Sequence, residues 1–219
     1  MSQTLLLLLF EATLQTIYMV VIASLIATLI GLPTGVLLYI TRRKNIYDKP
    51  WLHKTLGAIV NVTRSIPFII LMIAVIPLTR FLVGTSIGTN AAIVPLALAA
   101  MPFIARIVEN ALVEINAGLI EAATAMGATP LQIIRKVLLP EARPNIINGL
   151  TLTIVSLIGY SAMAGAVGGG GLGDLAIRYG YQRFDILVMI VTIVIMIVLV
   201  QTVQFGGELL VKKFSHYKN

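Results

Sequence analysis

Glu121-Ala122-Ala123-Thr124-Ala125-Met126-Gly127, followed after nine residues by Val137-Leu138-Leu139-Pro140, lies between two long apolar stretches of this chain. The segment is too polar to cross a bilayer, and it carries the signals of surface helices. Glu121 to Gly127 spans about two helical turns. Thr129 reads as an N-cap, with Pro130 at the first helical position and Gln132 closing a capping box. Pro140 disfavours continuation of that second helix. The expectation is a short helix, a glycine break and a second short helix, lying parallel to a membrane surface.

The rest of the chain supports a membrane setting. It has 219 residues, a mean hydropathy of +0.96 and only 11% charged residues, which excludes an ordinary soluble domain. It has no cysteine, so neither a disulfide framework nor thiol chemistry is open to it. His53 and His216 are far apart and beside basic residues, which argues against a histidine metal site. The net charge of +7 could suggest nucleic acid, but the basic residues cluster beside hydrophobic runs instead. Met1 to Phe10 holds five consecutive leucines but lacks the basic start of a signal peptide, and Glu11 follows at once. It reads as an interfacial segment, 1–13, or as the outer extension of the first span.

Five segments are long and apolar enough to cross about 30 Å of hydrocarbon. They run from about Leu14 to Ile40, Leu56 to Leu78, Ala91 to Leu112, Ile146 to Val167, and Ile186 to Phe205. The first has a kink signal at Gly31, Pro33 and Gly35, and the second is interrupted by Arg64 and Pro67. The third contains Pro95 and Pro102, and the fifth is headed by Asp185 as N-cap. Twelve basic residues fall on one side of this arrangement: Arg42, Arg43, Lys44, Lys49, Lys54, Arg106, Arg135, Lys136, Arg143, Lys212, Lys213 and Lys218. Three fall on the other: Arg80, Arg178 and Arg183. The positive-inside rule then places the amino terminus outside, and the tail at 212–219 and the Glu121 loop in the cytoplasm.

Three features invite a functional reading. Arg64 is a charge inside an apolar span. It is either a latch paired with Glu109 or Glu114, or a side chain that snorkels to the interface. Gly149, Thr153, Ser156, Tyr160, Met163 and Val167 follow one another at steps of three or four and so share a helical face. That face either lines a path, with Tyr160 and Met163 narrowing it, or packs against another helix. Gly165, Gly168 to Gly171 and Gly173, ending in Asp174, read as a compact outer loop continuing to Tyr179, Tyr181 and Phe184. They match no phosphate-binding G-x-x-x-x-G-K-[S/T] pattern. Close backbone packing, or docking of an external partner, is the better reading.

The Glu121 register resembles the cytoplasmic loop of permease subunits in bacterial type I ABC importers, which inserts into a groove on a separate ATPase. The family usually has Ile where this chain has Val137. Within the family, three stretches resemble the methionine permeases: Arg64-Ser65-Ile66-Pro67-Phe68, the run Phe103 to Asn110, and Ser161 through Gly173 to Arg178-Tyr179-Gly180-Tyr181. The likeness covers most of the chain from the first span to the fifth. It implies an all-α permease domain at 14–211 with a coupling loop at about 114–142. Glu121, Ala122, Ala123, Gly127, Leu139 and Pro140 are then the ATPase-coupling residues, while Thr153, Ser156, Tyr160 and Met163 are path residues only in the first of the two readings of their stripe.

The resemblance further implies a homodimer in the bacterial inner membrane, two copies of a cytoplasmic ATPase and an external substrate-binding protein. ATP and Mg would be held by the ATPase, with no catalysis, cofactor, metal or nucleic acid in this chain. The competing class is a channel or membrane scaffold that needs no nucleotide. The competing substrates are another amino acid or a quaternary-ammonium osmolyte. The single tryptophan, Trp51, lies beside a basic loop and lends no support to an aromatic cage for such a cation.

Overall fold

The computed structural model describes residues 3–43 and 45–215, and every regular element among them is helical. Lys44, His216, Lys218 and the end of the 212–219 tail, all named above, lie outside the described residues. Helix α1, Gln3–Ile40, runs unbroken for 38 residues. The leucine-rich start is therefore an extension of the first helix and not a separate segment. Gly31 and Gly35 serve contact: a Cβ on Gly31 would stand 2.8 Å from the Met101 carbonyl oxygen, and one on Gly35 would strike Ala105 and Val108. Small residues one turn apart let two backbones approach closely. The partner is α5, Thr89–Val113, whose Pro95 and Pro102 lie inside the helix. The core runs along this pair, with Met19, Ala23 and Ala27 against Leu96, Ala100 and Ile104.

The second expected span is broken. Helix α2 covers Pro50–Ser65, α3 covers Phe68–Ala74 and α4 covers Ile76–Val83. The first two meet at a bend of 103°. Pro67 has no N–H and drives the preceding residue out of the helical region, and Ile66 is extended at φ −79° and ψ 123°. By length and composition four helices could cross a membrane, and the bent α2–α3 pair is a fifth candidate.

Pro140 does not end a helix, contrary to the expectation. Helix α6, Ala117–Ala125, and the short α7, Pro130–Gln132, lead into a π-helical turn, Ile133–Leu138. Helix α8, Leu139–Ala166, follows without interruption. The π turn shifts the hydrogen-bond register, so that the Leu139 N–H donates to the Ile134 carbonyl. Pro140 then falls in the first turn of α8, where its missing N–H costs little.

The glycine run begins as the compact turn expected, at 167–170, but its continuation is helical. Gly168, Gly170 and Gly171 have positive φ, and the chain turns into α9, Gly171–Leu175, and a second π turn, Ala176–Tyr181. Gln15 and Thr16 of α1 accept hydrogen bonds from the Gly171 and Leu172 N–H groups at 2.8 and 2.9 Å. These amides are satisfied within the protein, and the segment ties α1 to the end of α8. Helix α10, Ile186–Ser215, is capped by Asp185 as expected (Val188 N–H to Oδ1, 3.1 Å) but continues well past Phe205.

Candidate functional site

The segment between α5 and α8 is built from local signals. Asn116 caps α6 by accepting from the Gly118 N–H at 2.9 Å. At the other end Ala128 N–H donates to the Ala123 carbonyl (3.1 Å) and Gly127 N–H to the Thr124 carbonyl (2.9 Å). These two bonds form a Schellman cap, which needs a left-handed residue, and Gly127 supplies it at φ +79°. The capping box is also present: Gln132 N–H donates to Thr129 Oγ1, and Thr129 N–H donates to Gln132 Oε1. The hinge between the two short helices is thus rigidly specified.

This hinge divides the loop into two faces. Ala123, Ile133 and Leu138 are buried and tie the loop to the core. Glu121, Ala122 and Gly127 point outward, beside exposed Leu119, Leu131 and Met126, the last with 82% of its surface accessible. Exposed apolar groups on a capped mount are groups that burial in a partner's groove would stabilise. Leu139 and Pro140 are half-buried behind it. Pro140 lines a groove of about 480 Å³ with Leu119, Lys136, Arg143 and Phe214, where the Arg143 guanidinium lies 5.9 Å above the Phe214 ring. The end of α10 therefore belongs to this region. Sequence reasoning missed this because it stopped that helix at Phe205.

The α8 stripe divides along its length. Gly149 is buried against Ile107, and Thr153 is buried with its hydroxyl donating to the Gly149 carbonyl at 2.9 Å. Thr153, Ser156 and Tyr160 line a cavity of about 110 Å³ facing α5. Tyr160 stacks on Phe68 with ring centroids 4.7 Å apart. Met163 and Val167 are exposed on the bundle surface.

Arg64 forms no ion pair with Glu109 or Glu114 in this structure. Its guanidinium lies 4.7 Å over the Phe103 ring. Glu109 is buried and accepts from Arg106 Nη1 at 2.6 Å, with His53 Nδ1 at 3.8 Å. Glu114 accepts from Asn145 at 2.6 Å. Arg106 reaches on to Asn61 Oδ1 at 2.7 Å, so this network joins α5 to α2. The i,i+3 spacing of Arg106 and Glu109 was the available sequence signal.

A bundle of apolar helices that presents one rigid polar loop with an apolar crest defines a polytopic membrane protein of the transport-permease class. The family described as binding-protein-dependent transport system inner membrane component matches residues 31–216, and the chain belongs to it. It is 57% identical over 209 residues to the probable D-methionine transport system permease protein MetI of Vibrio cholerae, covering 95% of this chain and 93% of that one. It is 56% identical over 165 residues to the D-methionine transport system permease protein MetI of Escherichia coli strain K12, covering 75% and 76%. Among solved structures it resembles the inward-facing MetNI methionine ABC transporter, with a TM-score of 0.96 at 52% identity over 98% of this chain and 99% of that one. A more distant amino acid ABC transporter, at 20% identity and a TM-score of 0.77 over 94% of each chain, shares the fold.

Proposed function

We propose that this chain is the membrane-spanning subunit of an ATP-driven importer and that it carries methionine across the inner membrane. The observation that carries the reading is the match to the methionine ABC transporter, at a TM-score of 0.96 and 52% identity over nearly the whole chain. In this reading two copies form the path, and each presents its 114–142 loop to a cytoplasmic ATPase that holds ATP and Mg. An external binding protein delivers the amino acid. The twelve-to-three asymmetry of basic residues supports a cytoplasmic loop and tail and an outer amino terminus.

The role of the loop follows from its build. Leu119, Ala122 and Met126 are exposed apolar groups that gain by burial in a groove, and Glu121 fixes the register of the contact. Ala123 and Leu138 transmit the displacement, because both are packed into the core that α5 and α8 share. Closure of the ATPase pair would push on the mount, and α8 moves with it because the π turn runs into that helix without a break. Coupling of this kind is reciprocal, so substrate delivery should also bias nucleotide binding. The test is uptake of labelled methionine by the reconstituted complex. Uptake that requires ATP and the binding protein supports the reading. Flux without nucleotide would overturn it in favour of a channel.

A further inference from the structure

Arg64 stands in the last turn of α2, at the 103° break before α3. Among the described residues no carboxylate lies within 4.0 Å of its guanidinium, and Glu109 and Glu114 are engaged elsewhere. The break opens a cavity of about 210 Å³. Arg64 and Ser65 line it together with Phe68, Phe103 and Tyr160, and the Arg64 guanidinium lies over the Phe103 ring. Phe103 and Tyr160 also line the apolar cavity of about 110 Å³ that continues toward Leu152 and Leu157. A cation, aromatic rings and an apolar recess are therefore neighbours, joined through the shared Phe103 and Tyr160. A lone arginine in an apolar segment marks a ligand path, and transporters place such paths at discontinuous helices.

We propose that this compartment is a substrate site within the permease itself. The carboxylate of the transiting amino acid sits on Arg64, and its thioether side chain enters between Phe103 and Tyr160. A guanidinium matches a carboxylate through paired N–H donors, and a thioether sulfur packs well against aromatic rings. The proposal rests on the methionine-import reading.

The test uses the absence of cysteine in this chain. Ser65→Cys, with Thr63→Cys as a second reporter in the same cavity, is introduced into the full transporter complex, and alkylation of this subunit is followed. Methionine at twice the site's dissociation constant is expected to slow labelling about threefold. Methioninol, which lacks the carboxylate, is expected to leave the rate unchanged. Arg64→Gln should remove the protection and Arg64→Lys should restore part of it. Labelling that ignores methionine, or equal protection by methioninol, in a complex that does transport methionine would overturn this site alone. A complex that transports no methionine would overturn the import reading instead. Should the Arg64 variants fail to assemble, the comparison of methionine with methioninol decides.

Discussion

Glu109 ties the end of α5 to α2 through Arg106 and His53. Only 4% of its surface is accessible, and its charge is answered by Arg106 and approached by His53. Removing Glu109 leaves Arg106 part-exposed and still bonded to Asn61, so the loss is that of one charge-assisted hydrogen bond, about 1.5–3 kcal/mol. Glu109→Ala is therefore expected to lower the thermal midpoint of the purified protein in detergent, and Glu109→Gln, which keeps an acceptor for Arg106, should lower it less. Equal midpoints for Glu109→Ala and the parent protein would show that the network contributes nothing. From the sequence Glu109 was legible only as a candidate partner of Arg64, and its pairing with Arg106 was missed. In the structure Arg64 lies over Phe103 instead.

At the scale of elements, the two hinge-like segments behave differently. The coupling loop is specified by caps, so its integrity rests on single backbone groups. Gly127→Pro loses both the left-handed φ and the N–H that Thr124 accepts. This variant is expected to insert in the membrane normally but to fail to co-purify the ATPase, and normal co-purification would refute the docking role. The glycine run is specified by space. A Cβ at Gly173 would stand 2.5 Å from the Ala162 Cα, with no flexible side chain to give way. Gly173→Val should destabilise the bundle by about 1–3 kcal/mol or more, read as a lower melting midpoint. The Thr129 capping box and the Gly127 break were legible because those residues act on neighbours a few residues away, whereas the equally local Asn116 cap was missed. The fold of the glycine run was not legible, because its partners, Gln15 and Thr16, come from the far end of the chain.

For the whole molecule, the exposed apolar surface of α8 and α10 must meet lipid or another copy. Met163, 48% accessible on α8, is expected to lie near its counterpart across a two-fold axis. Met163→Cys in this cysteine-free chain should crosslink the dimer in at least one nucleotide state. Crosslinking only through another face of α8 would show that the stripe packs against neighbours. Orientation belongs to the same scale. A cytoplasm-dependent fluorescent reporter fused after Asn219 should be active, and activity of a periplasm-dependent enzyme there would reverse the topology and remove the loop from the ATPase side.

The sequence by itself determined the membrane class, the number of apolar segments, the charge asymmetry, and the capping box and glycine break of the coupling loop. Each of these depends on composition or on contacts within a few residues. Only the tertiary structure decided that Pro140 sits inside a continuous helix, that the second span is two helices at 103°, and that Gly168 to Gly173 fold back onto α1. The same holds for the partition of the α8 stripe into packed Thr153, cavity-lining Tyr160 and exposed Met163. A proline or glycine states only which hydrogen bond or side chain is missing. What fills the gap, whether a π turn, a bend or a neighbouring backbone, is set by segments distant in the chain.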